Sequence, residues 1–213
     1  MRTPPTRRRS TIGAIILAAT LMLAATANVA AGRPDVVDPS LMTPALNPSF
    51  DWECWRAGDR IVCDGERTTE YTAVEAIPCP DGGWIYATGS AHDTLRRVGD
   101  ENGLALSTLG TTRIDDRLSR SPSFDGIVGH ARGVWTDSYD YVLPGDLSSR
   151  ILTRRGFDVV LTIPGQGLVM LDAGTWAVDF DGNLLFAHGP HPVLEDIEGA
   201  FARACDALAG QSS

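Results

Sequence analysis

Lysine is absent: all eighteen basic residues of this 213-residue chain are arginine, against twenty-seven aspartates and glutamates. That removes lysine as a Schiff-base former or general base. Aromatic residues make up only 7% and cysteines number four. No pair of cysteines is spaced C-x₂-C, which disfavours a four-cysteine zinc site. Chemical signatures are as sparse. Gly89-Ser90-Ala91-His92 lacks the second glycine of a nucleophile elbow and does not stand between a strand and a helix. Gly165-Gln166-Gly167 has neither the lysine nor the following helix of a phosphate loop. The residues imply no cofactor. After the first thirty-one positions no apolar run reaches membrane-spanning length.

Those thirty-one positions are the most informative part of the chain. Arg2, Arg7, Arg8 and Arg9 precede an uncharged apolar stretch that ends in Val29-Ala30-Ala31, the layout of a cleaved export signal. Ser10-Thr11 replace the apolar pair of a twin-arginine signal, so the ordinary secretory route is expected. Cleavage after Ala31 would leave 182 residues, and loss of the leader's four arginines would move the net charge from −9 to −13. A surface this acidic repels phosphate backbones, which excludes nucleic acid as a natural partner. The expected location is extracellular, where cysteines form disulfides. The organisation read from the sequence is a signal peptide at 1–31, a flexible proline-rich lead-in at 32–50 and a single β-rich domain at 51–213.

Asp51 opens a plausible hairpin, with Cys54 and Cys63 on its two arms around Ala57-Gly58-Asp59. Period-two patterning then recurs through 69–77, 85–92, 104–109 and 127–142, the last broken by Gly129 and Gly133, which suggest a bulge or bend. The clearest strand places Phe157, Val159, Leu161 and Ile163 on one face and Asp158, Val160 and Thr162 on the other. Asp181-Gly182 reads as a type I′ turn with two positive φ angles. Leu194, Ile197, Phe201, Cys205 and Leu208 fall at helical spacing, so one C-terminal α-helix is expected, opened by Pro192. The fold class is mainly β: an antiparallel meander forming a barrel or sandwich with that helix.

The four cysteines allow three pairings. The hairpin favours Cys54 with Cys63, and the inward position of Cys205 on its helix favours Cys79 as its partner. Asp172, Asp179 and Asp181 are weak calcium candidates, since Asp179-Phe180-Asp181-Gly182-Asn183 has the start of a calcium loop but Pro190 stands where its closing acid belongs. His188-Gly189-Pro190-His191 reads as a loop, because Gly-Pro prevents the helix that would align two imidazoles. Five tryptophans, Trp52, Trp55, Trp84, Trp135 and Trp176, are available for a core or for a sugar or lipid site.

Pro164-Gly165-Gln166-Gly167, Asp172-Ala173-Gly174, Asp181-Gly182-Asn183, Phe186 to His188 and Cys205-Asp206-Ala207-Leu208 resemble a group of exported β-rich proteins of GC-rich, actinobacterial-type bacteria. The resemblance covers Cys79 to Leu208; Cys54 and Cys63 are not part of that pattern. It implies a secreted β-rich fold and no known activity. The leading expectation is a disulfide-stabilised, non-catalytic binding or cell-surface protein with an unidentified ligand or protein partner. Two alternatives remain: a small secreted hydrolase using His130 with Asp137 or Asp140, and a lipocalin-like carrier of an apolar ligand.

Overall fold

Strong period-two patterning and frequent glycine turns produce eight strands: β1 (Asp51–Ala57), β2 (Arg60–Pro78), β3 (Trp84–Gly99), β4 (Ala105–Ser119), β5 (Val128–Tyr141), β6 (Arg150–Ile163), β7 (Gly167–Val178) and β8 (Leu184–His188). They are seen in a computed structural model that describes residues 35–210; the expected signal peptide lies outside the described residues. Each strand pairs antiparallel with the next, giving one sheet in the order β1 to β8. The meander is therefore as expected, but the sheet is not closed into a barrel. Backbone bonds explain why at the β1 edge. Val37 N–H donates to Cys54 O and Arg56 N–H to Asp35 O, so residues 35–37 occupy the edge that closure would need.

Alternation gives the sheet a covered face, and two separate elements cover its two ends. At one end Ile85, Ala87, Leu118, Ala131, Leu161, Ile163 and Met170 pack beneath Ala200, Ala204, Cys205, Ala207 and Leu208 of the C-terminal helix. At the other, Met42, Cys54, Ile61 and Cys63 form a second cluster with Val37, Leu46 and Trp52. The lead-in at 35–50 thus lies on the sheet. Thr43 both donates to Gly103 O and accepts from Ala105 N–H, and Arg97 Nη1 donates to Pro44 O at 2.9 Å. Between the two plugs lies a band of polar and aromatic side chains.

The helical region differs from a single helix. It forms α1 (Pro192–Glu195) and α2 (Ile197–Leu208), broken at Asp196, whose backbone is not helical and whose carboxylate caps α2 by accepting from Gly199 N–H at 2.9 Å. The break changes the apolar stripe. Cys205 and Leu208 are buried as the spacing suggests, but Leu194 and Ile197 are exposed, and Ala200 and Ala204 take the contact positions. Their small side chains let the helix backbone approach the sheet closely.

Disulfides join Cys54 to Cys63 across the first hairpin and Cys79 to Cys205 between the end of β2 and α2, the two pairings the sequence favours. The Asp181-Gly182 turn is not type I′, because only Gly182 has positive φ (82°). The loop runs instead from Asp179 to Asn183, with Gly182 N–H bonded to Asp179 O and Asp179 N–H to Asn183 O.

Candidate functional site

The middle band of the covered face is built by cross-strand register. Asp137 on β5 stands opposite Arg154 on β6, which stands opposite Trp176 on β7; Thr112 on β4 stands opposite Trp135 on β5. Directly opposed residues share a face, so these side chains meet over the sheet. Arg154 donates from Nε and Nη2 to the two oxygens of Asp137 at 2.7 and 2.8 Å, a bidentate pair. Its guanidinium carbon lies 5.0 Å from the Trp135 ring centroid and 5.2 Å from that of Trp176. The two indoles and the arginine therefore form one planar-group cluster held by cation–π attraction.

A β-bulge delivers the next residue. Phe157 pairs with Ala173 and Val159 with Asp172, which leaves Asp158 as the extra residue on β6. The bulge corrects the simple alternation read from the sequence: Val159, Leu161 and Ile163 turn towards the covered face, but Phe157 is exposed. Gly133 makes room for it, since a Cβ there would lie 2.5 Å from the Asp158 carbonyl oxygen. The bend that Gly133 suggests in the sequence is thus realised on the neighbouring strand. Trp176 Nε1 donates to Asp158 Oδ2 at 3.3 Å, and Asp158 Oδ1 lies 3.8 Å from Arg154 Nε. Burial pushes the Asp158 carboxyl above the usual carboxylate range, against the opposing pull of Arg154.

These side chains form one side of a pocket of about 350 Å³. Trp135, Arg154, Asp158 and Trp176 meet the apolar side chains of Ile114 and Val159 there, and α1 closes the far wall with Val193 and Leu194. The position of α1 is fixed by a buried pair. His191 Nδ1 lies 3.0 Å from Asp172 Oδ1 and Nε2 lies 3.2 Å from the His188 carbonyl oxygen, both at hydrogen-bond distance, while Val193 N–H donates to Asp172 Oδ2 at 3.0 Å. Both side chains are only 2–3% exposed. Ala173 N–H bonds Pro190 O, tying the same loop to β7.

The calcium candidates are not brought together. Asp172 is committed to His191 and Val193, and Asp179 accepts from Asn183 N–H and Nδ2–H at the hairpin turn, bonds that hold its carboxyl below the usual range. Asp181 is exposed. Among the described residues no group of three or more His, Cys, Asp or Glu side chains is arranged to hold a metal ion. His130 is equally isolated. Asp137 is seven positions along the same strand and so on its opposite face, and Asp140 is ten positions away, about 33 Å at the rise of a β-strand. His92 bonds Thr68 Oγ1 at 3.1 Å, and His188 is exposed. Of the tryptophans, Trp135 and Trp176 line the pocket, while Trp52 lies over Gly65 and donates to Asn47 O. Nothing in the His188-Gly189-Pro190-His191 spacing pairs His191 with Asp172, which directly follows the apolar run Leu168 to Leu171 and stood out only as a calcium candidate.

A second cluster lies on the same face. Tyr71 Oη–H donates to Asp116 Oδ1 at 2.5 Å, over Gly89, where any side chain would collide with that carboxylate. Burial pushes the Asp116 carboxyl up, the Tyr71 hydrogen bond pulls it partly back, and Asp115 adds repulsion. A carboxyl raised above its unfolded value, near 4, keeps its proton longer in the folded state. The stability it contributes is full below about pH 4 and is lost as pH rises through the raised native value. Asp116→Asn is accordingly expected to gain stability relative to the parent at pH 7 and little at pH 4, measured by urea unfolding at both pH values.

No family model, no curated protein and no solved structure matches the chain.

Proposed function

We propose that this chain is a secreted, non-catalytic binding protein that holds a small, largely apolar ligand in the pocket between Trp135, Trp176 and α1. The observation that carries the reading is the chemistry of that pocket. Six of its nine lining side chains are aliphatic or aromatic, and two of its three charged ones are already paired, Arg154 with Asp137 and Asp172 with His191. Pockets of this size with apolar walls and few convergent polar groups are the usual form of small-molecule sites. Secretion is supported by the arginine-led apolar start of the sequence, by two disulfides, and by the resemblance to exported β-rich proteins of actinobacterial type. No helix among the described residues is long and apolar enough to cross a membrane.

The test is a calorimetric titration of the purified chain with 2-methylnaphthalene, an aromatic hydrocarbon small enough for the pocket. Leu194 lines the pocket yet is 40% exposed, so Leu194→Trp should fill the site without disturbing the core. Binding to the parent and a loss of about tenfold or more in Leu194→Trp are expected. Equal affinity in the two proteins would place the ligand elsewhere and defeat the reading.

A further inference from the structure

The hydrogen-bond inventory of the pocket leaves two atoms over. Arg154 bonds Asp137, both oxygens of Asp172 accept from the His191 loop, and Trp176 Nε1 bonds Asp158 Oδ2. Trp135 Nε1 and Asp158 Oδ1 are buried and have no hydrogen-bond partner among the described residues. Such atoms are rare in folded proteins, because each loses its water without a replacement. An indole N–H can only donate, and an ionised carboxylate can only accept. Both residues belong to the wall of the same pocket, beside the same guanidinium.

Candidate ligand groups can be sorted by what they would satisfy. A hydrocarbon satisfies neither atom. A carboxylate accepts from Trp135 but adds a negative charge beside Asp158 and Asp172. An ammonium donates to Asp158 but leaves the indole N–H unmet. A hydroxyl does both, because it carries one proton and two lone pairs. We infer that the natural ligand is an apolar alcohol or phenol whose hydroxyl donates to Asp158 Oδ1 and accepts from Trp135 Nε1, an inference that rests on the pocket being the binding site.

The experiment compares 2-naphthol with 2-methylnaphthalene, which has nearly the same shape without the hydroxyl, by calorimetry on the purified chain at pH 7. The parent should prefer 2-naphthol by about tenfold or more. Trp135→Phe should lose most of that preference, read as the ratio of the two affinities within the variant so that a change common to both ligands cancels. Asp158→Leu provides the same readout if the indole proves necessary for folding. Equal binding of the two ligands by the parent would overturn the hydroxyl assignment and leave the pocket reading intact. Binding of neither would overturn both. A preference that persists in both variants would assign the hydroxyl to other residues and overturn the inference.

Discussion

Replacing Cys79 and Cys205 together by alanine is expected to lower the free energy of unfolding by about 3–5 kcal/mol and the melting temperature by about 10 °C. The bridge spans 126 residues of sequence, most of the described domain, so its loss frees a large volume of conformations in the unfolded chain. The native state loses as well. The bridge ties α2 to the end of β2, over the core end formed by Ile85, Leu118, Leu161 and Ile163. Alanine is the right replacement because both cysteines are buried, and serine would add an unpartnered hydroxyl. The Cys54–Cys63 bridge closes only nine residues inside a hairpin that β1–β2 pairing already holds, so its removal should cost less, at most about 3 kcal/mol in the same entropy picture. Denaturant unfolding of the two double variants decides the order. If the short bridge proves the costlier, the long one is not the principal staple.

His191→Ala should be nearly as damaging, about 3–5 kcal/mol, because it leaves the Asp172 carboxylate buried without its ring partner. The two side chains bury almost completely between β7 and the start of α1, and among the described residues no other side chain bonds Asp172. Only the Val193 N–H remains to it. The pair also sets the pocket wall, so the variant should lose ligand affinity along with stability. Substituting both partners by leucine removes the charge and the need for it, and should recover much of the loss. A His191→Ala cost under about 1 kcal/mol by urea unfolding would show that the pair does not hold α1 in place.

Much of the strand layout is legible in the sequence because alternation and glycine turns act locally. Gly58, Pro164 to Gln166 and Asp181-Gly182 each fall between consecutive strands, and Ile85, Ala87, Leu161 and Ile163 lie inward as their spacing requires. What fails depends on a single residue overriding a period. Asp158 inserts as a bulge and turns Phe157 outward. Asp196 finds a better bond as a cap than as a helical residue, and so splits the C-terminal helix. Closure is likewise a tertiary matter, since residues 35–37 take the β1 edge through backbone bonds that carry no side-chain signature. The pocket was the least legible feature. Trp135, Arg154, Asp158 and Trp176 come from three strands, and only the register between strands reveals that they share a site.

The most direct test of the pocket as the ligand site follows the five indole N–H resonances of the isotopically labelled chain during titration with 2-naphthol. Trp135 and Trp176 border the pocket, whereas Trp52 donates to Asn47 O far down the sheet, and Trp55 and Trp84 are not among its lining residues. The account predicts that the Trp135 signal moves most, as its unpaired N–H gains an acceptor, that Trp176 follows, and that Trp52, Trp55 and Trp84 stay in place. Movement confined to Trp52, Trp55 or Trp84, or no movement at saturating ligand, would contradict it.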